Sequence, residues 1–161
     1  MEDGYDYGTV AKHRVYIFGG EEPTLDLVPM LVRVGFSVVV CENDAQFASK
    51  EIFPDAEEVI VGDYDQLISR IKPTDSDYVI VITRNHEHDV EVLEPMLQTP
   101  AHYVGWMAST PRQAEARQSF LAAGIPLERL YSPIGVPIKS KRPTEIAISI
   151  AAQMIQIRSG G

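Results

Sequence analysis

Short apolar runs alternate with longer stretches of helical period along most of this chain. The strand candidates are Val15–Phe18, Ser37–Cys41, Glu58–Val61, Tyr78–Ile82 and Tyr103–Met107. Val38-Val39-Val40 and Val79-Ile80-Val81-Ile82 are apolar at every position. A strand with one wet face would alternate, so these runs call for cover on both faces, as in a parallel sheet. Helix candidates are Leu25–Val34, Tyr64–Ile71, Val90–Leu97, Pro111–Ala123 and Pro143–Ile157. Gly35 and Gly124 suit helix C-termini. Thr110-Pro111 reads as an N-cap followed by proline, and Arg142-Pro143 again puts proline at a helix start. The alternation predicts an α/β fold: a doubly wound, mostly parallel, Rossmann-like sheet in three α/β/α layers with right-handed crossovers.

Size and charge narrow the picture. The 161 residues suffice for one well-cored domain and not for two. Residues 1–12 are acidic and without periodicity, an expected flexible arm, with 13–161 as the single domain. A net charge of −9 argues against a nucleic-acid surface, which needs clustered Lys and Arg. No apolar run is long enough to cross a bilayer, and the single cysteine excludes an intrachain disulfide. A cytoplasmic, soluble protein is expected.

In such sheets ligands sit outside the carboxyl ends of the strands, so the loops there hold the candidate chemistry. The first loop, Gly19-Gly20-Glu21-Glu22-Pro23-Thr24, begins as a phosphate-binding turn and then contradicts it. The second and third glycines of G-x-G-x-x-G are Glu21 and Thr24, and two carboxylates take the place a phosphate would want at the helix N-terminus. Glu42 ends the second strand, where a carboxylate accepts from ribose hydroxyls or simply faces solvent. With Asp44, Glu21 and Glu22 nearby, a 2′-phosphate is disfavoured, so NADP is expected less than NAD.

Thr83 to Asp89 follows the fourth strand. His86 and His88 with Asp89 could ligate a divalent metal or move protons. Neighbours two apart in extended chain point to opposite faces, however, and Asp89 could equally cap the helix starting at Val90. Cys41 lacks nearby positive charge and reads as a small core residue rather than a thiolate. Lys139-Ser140-Lys141-Arg142 is the main basic cluster, a candidate anion site or a solvated loop. Trp106, Met107, Tyr131 and Ser132 read as packing residues. The chain has no G-x-S-x-G elbow, CxxC pair, HExxH or intact Walker A loop, which leaves hydrolase, disulfide-redox, zinc-protease and ATPase readings unsupported.

Together the loops resemble the C-terminal Rossmann-like domain of the xanthine dehydrogenase accessory (XdhC/CoxI) family, from Val15 to Arg158. The resemblance rests on Ile17-Phe18-Gly19, Phe53-Pro54-Asp55-Ala56 with Val59 to Asp63, and Thr83-Arg84-Asn85-His86-Glu87-His88-Asp89. It continues in Tyr103-Val104-Gly105, Ser109, Pro133-Ile134-Gly135 and Pro143-Thr144-Glu145-Ile146-Ala147. The family's Asp-x-Arg after the second strand reads Glu42-Asn43-Asp44, and its Gly-Ser-Arg-Arg-Lys loop reads Ala108-Ser109-Thr110-Pro111-Arg112. The family's N-terminal region has no counterpart in these residues, which implies a lone domain or a piece of a longer protein.

The resemblance implies a domain, non-catalytic itself, that binds molybdenum cofactor (molybdopterin) or a nucleotide. It would assist maturation of a molybdenum hydroxylase such as xanthine dehydrogenase, with a homodimer plausible. Its cofactor-binding residues would be Gly19, Gly20, Glu42, Thr83, His86, Asp89, Ser109, Gly135 and Lys139, with no resident metal. Two other classes stay open: an NAD-dependent oxidoreductase using His86 as general acid, and an interaction module that has lost small-molecule binding.

Overall fold

A computed structural model describes residues 12–160; the expected acidic arm, 1–12, lies outside them but for its last residue. Six strands form one sheet: β1 (Arg14–Phe18), β2 (Ser37–Glu42), β3 (Glu58–Val61), β4 (Tyr78–Val81), β5 (Tyr103–Trp106) and β6 (Leu130–Tyr131). Their spatial order is β3-β2-β1-β4-β5-β6 and every pairing is parallel. The helices are α1 (Thr24–Arg33), α2 (Tyr64–Arg70), α3 (Asp89–Met96), α4 (Thr110–Ala122) and α5 (Pro143–Arg158). A 3₁₀ turn, Arg84–His86, precedes α3. The sheet is thus all parallel, and the expected Rossmann-like α/β class holds.

The period of two along each strand sorts side chains into two cores. Tyr16, Phe18, Val39, Cys41, Val79, Val81, Val104 and Trp106 face α2, α3 and α4. Val15, Ile17, Val38, Val40, Tyr78, Ile80 and Tyr103 face α1 and α5. That division makes the apolar runs of β2 and β4 necessary, because both faces are dry. On α5, Ala147, Ile150 and Met154 are fully buried against this second core. Burying an Ile or Met side chain contributes about 1.5–3 kcal/mol, enough to hold the helix on the sheet.

Boundaries differ from the sequence reading by a residue at most of their ends, and one element is new. β6 has only two residues, too few to show a period. α4 starts at Thr110 with Ser109 as its N-cap, the Ser109 hydroxyl accepting from the Arg112 N–H at 3.4 Å. Thr110 is therefore not the cap. α3 starts at Asp89 with His88 in the N-cap position, so Asp89 does not cap it either. Among the described residues no helix is long and apolar enough to cross a membrane.

Candidate functional site

The strand order reverses between β1 and β4, and the crevice at a doubly wound sheet's carboxyl edge opens at such a switch point. Gly19 sits there for packing reasons. Its φ is +124°, and a Cβ at this position would lie 1.8 Å from the Ile82 carbonyl oxygen. Its N–H donates to the Cys41 carbonyl at 2.9 Å, and its own carbonyl accepts from the buried Thr24 hydroxyl at 2.7 Å. A Cβ on Gly20 would meet the Phe47 carbonyl oxygen at 2.5 Å. Both glycines therefore let protein approach protein, and their donors are turned inward.

Glu42 explains where the second donor goes. The side chain is wholly buried. Its Oε1 accepts from the Gly20 N–H at 3.3 Å and from Arg84 Nε at 3.0 Å; its Oε2 accepts from the Asp44 N–H at 2.8 Å. Arg84 also donates to Asn43 Oδ1 at 3.1 Å and lies over the Phe47 ring at 4.4 Å. Burial pulls the guanidinium pKa down, but hydrogen bonding and charge from Glu42, then Asp44 and Glu21, outweigh it and raise the net value.

Asp89 organises the other side. Its carboxylate, 1% exposed, takes four donors. Oδ1 accepts the Thr83 N–H at 3.1 Å and the Thr83 hydroxyl at 2.5 Å, while Oδ2 accepts Trp106 Nε1–H at 2.8 Å. His86 Nδ1 lies 2.7 Å from Oδ2. An ionised carboxylate only accepts, so in this pair the donor is Nδ1–H. Asn85 and His86 both hold positive φ, +54° and +60°, a conformation costing about 1–3 kcal/mol at each non-glycine residue. His88 diverges: its ring stacks on Tyr64 at 4.5 Å and its Nδ1 meets Glu91 at 2.8 Å. The two histidines serve different neighbours.

Beside this polar knot lies an apolar cavity of about 580 Å³. Leu25, Phe47, Ile52, Met107, Pro143 and Ile146 wall it, and Gly20, Glu21 and Glu22 form one rim. It lies between the first loop, the β2–β3 connection and the start of α5. A second cleft, of about 540 Å³ around His13, Phe36 and Asp77, lies at the amino ends of the strands, away from the ligand edge.

Of the residues singled out from sequence, Gly20 and Glu42 are hydrogen-bonded to each other, Thr83, His86 and Asp89 form a second bonded group, and Gly19 lies on the same edge, bonded to Cys41 and Thr24. Three others stand apart. Ser109 is exposed at the start of α4 and faces a separate groove with Arg112 and Glu115. Gly135 (φ +94°) packs against α5, where a Cβ would meet Ser149 Oγ at 2.1 Å, and its N–H donates to Gln153 Oε1 at 2.9 Å. Lys139 is exposed, with φ +55°. Cys41 is fully buried, and desolvation pushes its thiol up to about 12.

Sequence reasoning passed over Arg84, Phe47, Tyr64 and the Trp106 indole N–H. Arg84 carried one visible signal, a lone cation within the Thr83–Asp89 loop of an acidic chain. Tyr64 carried none: its hydroxyl is buried without a hydrogen-bond partner, and desolvation, with Glu42 next in weight, raises its pKa far above the usual phenol value. Among the described residues, no group of three or more His, Cys, Asp or Glu side chains is placed to hold a metal ion.

A family model, the XdhC Rossmann domain, matches residues 15–154. The chain belongs to the XdhC family. It is 29% identical over 147 residues to a probable xanthine dehydrogenase subunit of Bacillus subtilis strain 168, covering 91% of this chain and 43% of that protein. It is 22% identical over 150 residues to the uncharacterized protein YqeB of Escherichia coli K12, covering 91% and 27%. The crystal structure of a xanthine dehydrogenase from Bacillus halodurans superposes with a TM-score of 0.84 at 35% identity, covering 93% of this chain and 44% of that one. This XdhC domain thus spans less than half the length of the relatives it matches.

Proposed function

We propose that this XdhC domain binds molybdenum cofactor and assists maturation of a molybdenum hydroxylase such as xanthine dehydrogenase. The apolar cavity at the carboxyl edge of the sheet carries the reading. Its walls of Phe47, Leu25, Ile52, Met107 and Ile146 suit the faces of a flat heterocycle, as ligand pockets of this kind require. The anionic end of such a ligand has one favourable direction. Glu21 and Glu22 repel it at the first loop, whereas Lys139, Lys141 and Arg142 precede the α5 N-terminus, whose Pro143 and Ile146 line the cavity. A pyrophosphate laid across the first loop fits poorly, because the Gly19 and Gly20 N–H groups are already donated within the protein.

When bound, the cofactor would supply the metal and sulfur chemistry of the hydroxylase that receives it. The residues here bind, orient and exclude water. The names of the Bacillus relatives support a xanthine dehydrogenase as recipient. NAD is the second reading, favoured by the strand order alone and opposed by the spent glycine donors.

Mass spectrometry of the chain purified from a molybdopterin-producing host tests the reading. A molybdopterin species near one per chain is expected. Its absence, together with no capture of a molybdenum hydroxylase, overturns it.

A further inference from the structure

In this strand order the last residue of β2 is where a carboxylate meets the hydroxyls of a ribose. Glu42 holds that position with the required side chain, yet it is wholly buried. Both of its oxygens are engaged, and the donor that closes it off comes from the other half of the sheet. Arg84, on the turn after β4, crosses the switch point to donate Nε to Glu42 at 3.0 Å and Nη2 to Asn43 at 3.1 Å. Phe47, 4.4 Å beneath the guanidinium, holds it flat. One donor of this planar group takes up the carboxylate as a ribose hydroxyl would, and the second is anchored on Asn43.

We infer that Arg84 is a built-in plug on a ribose subsite and the residue that decides whether this crevice accepts nucleosides. A ligand carrying a ribose diol has to displace the guanidinium from Glu42. A ligand without one has no such need, because the neighbouring apolar cavity is lined by Gly20 and Phe47 but by neither Glu42 nor Arg84. Nothing in this depends on which cofactor the cavity takes. With the plug removed, the surviving charges are Glu21, Glu22, Glu42 and Asp44, so the subsite accepts an uncharged nucleoside better than a nucleotide.

Titration calorimetry with adenosine, AMP and 2′,3′-dideoxyadenosine on wild type, Arg84→Ser and Asn43→Ala tests the plug. Asn43→Ala loosens the guanidinium while leaving Glu42 paired, which guards against a folding failure of the serine variant. Wild type shows no saturable adenosine binding at millimolar concentration. Arg84→Ser binds adenosine at least about tenfold more tightly, Asn43→Ala shows a smaller gain, and AMP binds more weakly than adenosine. The dideoxy compound loses the gain. The inference is overturned by wild type binding adenosine as well as Arg84→Ser does, by folded variants that gain nothing, or by a gain that survives without the diol. Molybdopterin binding by wild type is a separate readout: its failure removes the proposed function and leaves this plug standing.

Discussion

Replacing Asp89 by alanine would strand four donors at once: the Thr83 N–H and hydroxyl, the Trp106 indole N–H and the His86 Nδ1–H. Leaving buried donors unsatisfied costs about 1–3 kcal/mol each, so a total loss of about 3 kcal/mol or more is expected. Urea unfolding followed by fluorescence checks it directly, since Trp106 is the single tryptophan and donates to this carboxylate. Cys41 makes a second residue-scale case. Its thiol is raised from 9.0 to about 12 by burial, so the folded state holds the proton longer than the unfolded state. The contribution to stability is complete below pH 9.0 and is lost as pH rises towards about 12. Cys41→Val should therefore unfold less steeply with pH across that window. A thiol reagent should label wild type at pH 8 only after denaturant is added.

The residue scale is also where the sequence was least readable. Asp89 looked like an N-cap because it precedes an apolar helical run, and its real partners come from Thr83 and from β5. Those contacts span up to 17 positions, which no local pattern reports. The Tyr64 hydroxyl and the Arg84 bridge to Glu42 were hidden for the same reason.

At the scale of elements, local signals were enough. β2 and β4 announced themselves because a strand dry on both faces must be apolar throughout, and Gly35 and Gly124 end helices with positive φ as their type suggests. β6 was missed because two residues carry no period. Element packing also sets the cost of changing Gly19. An alanine there puts Cβ into the Ile82 carbonyl and a strained φ into the β1–α1 turn, so Gly19→Ala should lose most of its soluble folded yield by circular dichroism. Ile150→Ala on α5 should cost about 2–5 kcal/mol in urea unfolding without touching the crevice.

On the scale of the whole molecule, the carboxyl edge of the sheet divides into two compartments. One is a closed polar knot, in which Glu42 and Arg84 join the two halves of the sheet. The other is an open apolar cavity rimmed by Glu21 and Glu22. Strand alternation made the location of this edge legible from the sequence. The division was not, because Arg84 and Phe47 meet only after β2 and β4 are placed on either side of β1. The first loop's glycines, read as remnants of a phosphate cradle, instead let the chain close on itself.

The measurement that bears most directly on the proposed cofactor site is calorimetric titration of molybdopterin into wild type and Leu25→Glu. Leu25 lines the cavity and is 43% exposed, so its replacement leaves the core intact. Saturable binding near one per chain is expected for wild type, weakened at least about tenfold by a carboxylate in the apolar wall. Equal binding by both proteins, or none by wild type, would contradict the assignment of the cavity as the cofactor site.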